Sequence, residues 1–263
     1  MKFKISQSEF TKALLSVNKS LLTKVNLPIL SNILISVSGN KLEVLSTNLE
    51  TATKVIVDCQ GEVDGKITVP GRLVFEFVSQ LGETDLTFEK LGEEAVISAK
   101  RYNGRFATLP VEDFPAIPKI EKGNVYKIGS KEFLKAVTRV AFCAAQDEGR
   151  PILTGVLCDF GKSDVSLVAT DGYRLGFQKI AVVGEQEGGI KIVIPAKSLI
   201  EVGKIISEAD EDSTTKNVEL MVSDGLNQAN FKVGNVEYTT RLIEGIFPNW
   251  QKLIPAEFTT RAK

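Results

Sequence analysis

The sequence contains no histidine. The side chain that most often serves as a general base near neutral pH, and most often ligates a transition metal, is therefore missing. Cysteine is scarce too. Cys59, Cys143 and Cys158 are odd in number, widely separated, and form no CxxC pair. That pattern argues against a disulfide framework or a zinc site, and for small buried apolar residues in a reducing compartment. Neither sign of charge dominates: 32 Lys and Arg face 33 Asp and Glu, a net charge of −1. This balance excludes a globally basic nucleic-acid binder but leaves room for a locally basic surface. The longest apolar-rich stretch, Leu27 to Val37, is broken by Ser31 and Asn32 and is too short to span a bilayer. The N-terminus, Met1 to Ile5, lacks the apolar segment of a signal peptide. The expectation is a cytoplasmic protein with no membrane partner.

What is present is the composition of a soluble globular chain, 43% hydrophobic and 25% charged over 263 residues. That length suits two domains of ordinary size. Self-similarity organises it. Phe10, Lys12 and Ala13 match Phe133, Lys135 and Ala136 at an offset of 123. Pro28-Ile29-Leu30 matches Pro151-Ile152-Leu153, and Ser46-Thr47-Asn48 matches Ala169-Thr170-Asp171, at the same offset. Thr68-Val69-Pro70 meets Val193-Ile194-Pro195 at offset 125, and Phe114-Pro115 meets Phe247-Pro248 at offset 133. A growing offset is what loop insertions in the second copy produce. A repeat this long is a duplicated domain. The first copy is expected over residues 1–120 and the second over 121–248, with 249–263 as a linker.

Each copy reads alike. A short strand (Lys2–Ile5; Val125–Ile128) leads into an amphipathic helix, with Phe10, Ala13, Leu14, Val17 and Leu21 at helical spacing in one. Phe133, Ala136, Val137, Val140 and Ala144 form the same stripe in the other. The two helices are expected over 8–21 and 131–145, with Ser6 and Ser130 as N-caps. Alternating strands follow, such as Ile33/Ile35/Val37 and Val55/Val57/Cys59. Pro70 and Pro195 then open a second helix, 197–208 in the second copy. Asn103-Gly104 and Ser223-Asp224-Gly225 read as turns between later strands. The fold class is α+β: duplicated domains, each with two helices packed on antiparallel sheet.

Catalytic motifs are thin. Gly61 to Ile67 approaches a phosphate loop but has one spacer too few, and Ile67 stands where a magnesium-binding hydroxyl is needed, so it reads as a hairpin turn. Gly188-Gly189 reads as another turn. Glu112-Asp113 and Asp210-Glu211-Asp212 read as solvated loops. Val168 to Leu175 joins two strands through an Asp-Gly turn and then shows Tyr173 and Arg174. It is either an ordinary hairpin turn or the rim of a surface pocket, with Leu175 at its base and Arg174 as a polar handle. Lys131, Lys135 and Arg139 fall opposite the apolar stripe of their helix, as do Lys12 and Lys19, and Lys197 and Lys204, on theirs. Glu132, Glu201 and Glu208 dilute these stripes. A solvated helix face explains each alone; the pattern on three helices suits a surface that follows a phosphate backbone without reading bases.

Three segments occur in order: Asn26 to Asn32 (NLPILSN), Ala169 to Leu175 (ATDGYRL) and Phe247 to Trp250 (FPNW). Together they resemble the bacterial DNA polymerase III β subunit, the β sliding clamp, over essentially the whole chain. The resemblance implies three-domain protomers that pair head to tail into a ring, with helices lining the hole and sheets outside. It implies double-stranded DNA as a sequence-independent partner, and no catalysis, cofactor or metal. Other implied partners are the polymerase III catalytic subunit, the clamp loader, and further polymerases and repair proteins bound through short peptide motifs.

The implied peptide pocket takes Leu153, Thr170, Gly172, Tyr173, Arg174 and Leu175 from the second domain, then Pro248, Lys252 and Leu253. Tyr173 stands where some members have histidine, and Lys252 where some have arginine, whose planar fork lysine lacks. Implied DNA-facing positions are Lys24, Arg72, Gln146 and Arg150. Pro151 and Ile152 replace aromatic residues found in some members after that loop. Lys12, Lys135, Arg139, Lys197 and Lys204 join this set from the helical stripes. The chain stops near where a third copy would start, so it is expected to be monomeric or to need another chain for ring closure. Two further functions are open on the residues: an enzyme built on Asp171 and Arg174 or the carboxylate loops, and a truncated regulatory half-clamp that binds peptides without encircling DNA.

Overall fold

A computed structural model describes residues 1–21, 27–117, 120, 122–147, 149–184, 189–210 and 216–254. The first copy runs β1 (Lys2–Ser6), α1 (Gln7–Val17), β2 (Asn32–Ser38), β3 (Lys41–Thr47), β4 (Thr51–Asp58), β5 (Gln60–Val63) and β6 (Gly65–Pro70). It continues with α2 (Gly71–Gln80), β7 (Asp85–Leu91), β8 (Glu94–Ala99) and β9 (Tyr102–Ala107). The second copy keeps this order, with a single bridge between Val182 and Ile128 where β5 pairs with β1 in the first. It comprises β10 (Gly123–Gly129), α3 (Ser130–Val140), β11 (Gly155–Phe160), β12 (Asp164–Thr170), β13 (Leu175–Ala181) and β14 (Ile190–Pro195). Then come α4 (Ala196–Asp210), β15 (Asn217–Ser223), β16 (Gln228–Val233) and β17 (Val236–Arg241). The α+β class and the duplication are both present.

The described strands form three antiparallel sheets: β5-β1-β7-β8-β9, β13-β12-β11-β14, and an eight-stranded sheet β10-β15-β16-β17-β4-β3-β2-β6. The last crosses from one copy to the other, because β17 pairs with β4 from Val236↔Val55 to Thr240↔Thr51. One helix pair lies over each half, α1 against α2 and α3 against α4. At the junction, α1 and α4 border a cavity of about 340 Å³ floored by Val55, Val57 and Val236. Lys19, just past α1, reaches Glu208 of α4 at 2.7 Å with its side chain only 9% exposed. The helices therefore stand in a row, α2-α1-α4-α3.

Apolar periodicity accounts for the packing. Phe10, Ala13, Leu14 and Val17 of α1 are buried, as are Phe133, Ala136, Val137 and Val140 of α3. Ile33, Ile35 and Val37 of β2 turn inward at the strand period of two. Phe3 stacks on Phe88 at 5.0 Å with Phe10 edge-on, and in the second copy Tyr126 stacks on Phe160 at 4.0 Å. All three cysteines are free and buried. Burial in an apolar core pushes the Cys158 thiol up to about 12, which makes it inert as a nucleophile.

Several local expectations are corrected. Ser6 caps α1, accepting from the Glu9 N–H at 3.2 Å, but Ser130 does not cap α3. Strand β10 pairs with β15 as far as Gly129↔Asn217, so Gly129 takes the cap position and Ser130 falls inside the helix. The Ser130 hydroxyl is buried with no partner among the described residues. Helices α1 and α3 end at Val17 and Val140, earlier than their apolar stripes suggest, because each tightens into a 3-10 turn, Asn18–Ser20 and Ala141–Cys143. Gly61 to Ile67 is not a hairpin: β5 pairs with β1 and β6 with β2, so this segment carries the chain between sheets. Gly61 is required there by close approach, since a Cβ would lie 1.9 Å from the Gly39 carbonyl oxygen. Asn103 and Gly104 lie within β9, and the turn falls three residues earlier, at Lys100-Arg101, with Lys100 in the left-handed region at φ 49°.

Because β17 pairs with β4 and the buried residues of both copies form one continuous core, the copies are expected to unfold together. Phe231 is fully buried and packs 6.0 Å from Phe133. Phe231→Ala should cost about 3–5 kcal/mol. In urea, tryptophan fluorescence from the second copy and far-ultraviolet circular dichroism from the whole chain should shift to the same lower midpoint. Separated midpoints in the unsubstituted protein would show that the copies unfold independently.

Candidate peptide notch and helical face

The four residues between β12 and β13 form a loop held by its own side chains. The Thr170 hydroxyl donates to the Arg174 carbonyl at 2.7 Å and accepts from the Gly172 N–H at 3.1 Å. One Asp171 oxygen accepts from the Tyr173 and Arg174 N–H groups, each at 2.9 Å, and the other accepts from the Arg174 guanidinium at 3.0 Å. Gly172 supplies the positive φ, 94°, that the turn requires. The backbone N–H groups of Arg174 and then Tyr173, with a smaller contribution from the Arg174 charge, hold the Asp171 carboxyl below its ordinary range. A carboxylate so fully engaged and so weakly basic is a poor general base. Its geometry is that of a loop brace, which weighs against an enzyme built on Asp171 and Arg174.

Beside this loop lies an apolar cluster separate from the main core. Leu157, Val168 and Val193 are buried, with Ile152, Leu175, Ile243, Phe247 and Trp250 packed on them. Trp250 begins a 3-10 turn, Trp250–Leu253, and stacks on Phe177 at 4.8 Å. The Arg174 guanidinium carbon sits 5.4 Å from the centre of the Phe142 ring, which is 59% exposed. Cations over aromatic faces are held electrostatically. The arginine and these aromatic rings flank the apolar cluster, and together they form the candidate peptide notch.

The pocket residues expected from the sequence divide accordingly. Thr170, Gly172 and Arg174 build the loop, and Leu175 belongs to the cluster. Leu153 is buried, its carbonyl accepting from the Ala145 N–H at 2.8 Å. Tyr173 is fully exposed. Pro248, Lys252 and Leu253 are exposed beside Phe247 and Trp250. Phe142, Phe177 and Trp250 were not among the expected residues. Phe142 had a signal: it falls off the buried stripe of its helix, and a large apolar residue there points at solvent or at a partner.

Lys12, Lys135, Arg139, Lys197 and Lys204 are all exposed on the helix row, opposite the buried stripes. Lys135, Arg139 and Lys197 make no ion pair with a described residue. Lys204 pairs with Glu201 at 2.7 Å and Arg72 with Glu76 at 2.8 Å. Such exposed intrahelical pairs are worth only about 0.3–0.5 kcal/mol, so a phosphate can displace them. Lys19 differs: its ammonium is captured by Glu208 across the junction and contributes to holding the copies together. Gln146 and Arg150 are exposed on the loop after α3. Lys24 lies outside the described residues, as do Gly188, Glu211 and Asp212. Among the described residues no group of three or more acidic or cysteine side chains could hold a metal ion, and no helix is long and apolar enough to cross a membrane.

The brace sets a pH dependence. The Asp171 carboxyl is depressed below 3.8 in the folded loop, so its contribution is fully present above pH 3.8 and is lost as pH falls through the lower folded value. Amide exchange at Tyr173 and Arg174 should therefore quicken below that pH in excess of the loss elsewhere. In Asp171→Asn the amide oxygen still accepts both N–H bonds, and the excess should disappear. Equal acid sensitivity in both proteins would rule out the brace.

Comparison with known proteins agrees with this fold. Family models of the DNA polymerase III beta subunit match residues 1–118 as its N-terminal domain and residues 127–249 as its central domain. The beta sliding clamp homolog GriR of Streptomyces muensis is 26% identical over 263 residues, which span 99% of this chain and 68% of the relative. The beta sliding clamp of Pseudomonas putida is 27% identical, over 97% of this chain and 68% of its own. The crystal structure of the DNA polymerase sliding clamp from Bacillus subtilis, 25% identical, superposes with a TM-score of 0.91 over 98% of this chain and 68% of that one. The chain belongs to the DNA polymerase III beta subunit family, the β sliding clamps, and matches its N-terminal and central domains.

Proposed function

We propose that this chain is a processivity clamp: it holds duplex DNA against its row of helices and tethers the replicative polymerase and other partners through the notch beside Arg174. The observation that carries the reading is the single face formed by α2, α1, α4 and α3, on which Lys135, Arg139 and Lys197 remain unpaired among the described residues. Charges spread along parallel helices engage phosphates without sequence preference. Lys12, Lys204, Arg72, Gln146, Arg150 and Lys24 complete the proposed DNA set. Residues 1–120 and 121–248 are the proposed domains, with 249–263 leading toward a third. In the full-length ring two such protomers meet head to tail. The chain performs no chemistry itself; DNA synthesis belongs to the polymerase III catalytic subunit that the clamp and its loader serve.

Two measurements test this. Duplex DNA binding, followed by anisotropy across a salt series, should weaken steeply with salt. Lys135→Ala with Arg139→Ala should reduce the slope of log K against log salt by roughly one to two, about 0.9 for each phosphate left without its cation. An unchanged slope would remove α3 from the DNA face. A short peptide containing glutamine and leucine should bind with tryptophan fluorescence changing as it does so. Leu175→Asp, which places a charge in the apolar base, should weaken it at least tenfold, about 1.4 kcal/mol. Unaltered affinity in both Leu175→Asp and Arg174→Ala would move the peptide site elsewhere.

A further inference from the structure

A second apolar cluster stands apart from the main core in the first copy: Ile29, Leu30 and Phe114 are buried, with Leu34, Leu45 and Leu109 packed on them. Five of its members have counterparts in the second-copy cluster, whereas Leu175 and Val193 there answer to Ala52 and Thr68 here. Ile29, Leu34 and Leu45 correspond to Ile152, Leu157 and Val168 at the repeat offset of 123, and Phe114 corresponds to Phe247. Leu109 and Ile243 each lie two residues beyond the last strand of their copy, and each N–H bonds to the same place in the repeat, Thr68 Oγ1 at 3.0 Å and the Val193 carbonyl at 2.8 Å.

The neighbouring loop is also built alike. The Thr47 hydroxyl donates to the Thr51 carbonyl at 2.9 Å and accepts from the Leu49 N–H at 3.0 Å. Asn48 Oδ1 accepts from the Glu50 and Thr51 N–H groups, as Asp171 does for Tyr173 and Arg174.

The chemistry at the rim differs. Leu49 replaces Gly172, and it holds φ 75° with its side chain 51% exposed. A leucine is uncommon in that backbone region, and here it presents an apolar side chain to solvent on the loop. Glu50 replaces Tyr173 and Thr51 replaces Arg174, so the arginine is gone. Glu112 and Asp113 are exposed immediately before Phe114. Among the described residues here, Arg241, whose N–H bonds to the Glu50 carbonyl, adds one basic side chain against three carboxylates.

We propose that this cluster is a second docking notch, which takes a short peptide with apolar side chains flanked by lysine or arginine. The occupant's charge follows from complementarity: carboxylates favour a basic flank and repel an acidic one, whereas Arg174 and Lys252 do the reverse in the second copy. The inference rests on reading the second-copy notch as a peptide site, and the two notches then sort peptides by flanking charge.

The single tryptophan, Trp250, packs at the second-copy notch, so the two sites can be read separately. Fluorescein-labelled Lys-Ala-Leu-Leu-Phe-Lys and Glu-Ala-Leu-Leu-Phe-Glu would be titrated into the whole chain, following polarisation of the label and fluorescence of Trp250. The basic peptide should raise polarisation without changing Trp250. Glu50→Lys should weaken it at least fivefold, and Leu49→Asn should do likewise. Both positions are exposed, and asparagine tolerates the left-handed backbone, so both variants should fold. Arg174→Ala should leave the basic peptide within twofold. The proposal is overturned if the basic peptide fails to bind, if it perturbs Trp250, or if Glu50→Lys and Leu49→Asn leave its affinity unchanged. Failure of the glutamine- and leucine-containing peptide at the second copy would instead count against the reading on which the proposal rests, and is seen independently in the Trp250 signal.

Discussion

The pairing of β17 with β4 is the constraint on which the rest depends. Backbone N–H and C=O groups along a strand edge demand partners when shielded from water, and here the last strand of the second copy meets that demand for the first. One eight-stranded sheet results, and its continuity decides where the helices go. Helix α1 packs on β3 and β4 and α4 touches β16 and β17, so α1 and α4 become neighbours across the seam. Lys19 and Glu208 meet there. A stripe of cations on any one helix would be an ordinary solvated face. It becomes a surface only because sheet pairing fixes the helices side by side.

The notch has a different physical basis. Its base is a by-product of the sheet, apolar side chains on the face opposite the main core, closed over by Phe247 and Trp250. Its rim depends on a hydrogen-bonded loop whose shape is preserved in both copies although only the first threonine is shared. Asparagine and aspartate supply the same oxygen to the same two N–H groups. The backbone frame is thus independent of what the frame displays. Gly172, Tyr173 and Arg174 in one copy, and Leu49, Glu50 and Thr51 in the other, give the same scaffold opposite electrostatic character. Duplication provides the frame twice, and side-chain replacement distinguishes what each copy displays.

Much of this was legible in the residues. The offset of 123 between Phe10 and Phe133 and between Pro28 and Pro151 is a consequence of two cores with the same layout, so the duplication and α+β class could be read directly. The stripe of Phe133, Ala136, Val137 and Val140 marked α3 and its outward cations. Less could be read where tertiary pairing overrides local preference. Ser130 is a good cap by residue type, yet β10 extends up to it and moves the cap to Gly129. Gly61 and Gly65 resemble hairpin residues, yet they carry the chain from one sheet to another. The partners of single charges were also hidden: nothing near Lys19 in sequence points to Glu208, because that meeting exists only once the sheet has joined the copies. Phe142 and Trp250 stand far apart in the chain and come to the notch from opposite ends of the second copy, which no local pattern encodes.

The open sheet edges carry a directional consequence. No described strand covers the outer side of β9 or of β13. Within the repeat, β9 occupies the place that β17 holds in the second copy, and β13 the place that β4 holds in the first. The molecule therefore completes one seam at its centre and presents the two unlike halves of another at its margins. Anything that extends the sheet there meets a donor-like margin at one end and a receiver-like margin at the other, so growth across these edges has a sense of direction built in by duplication itself.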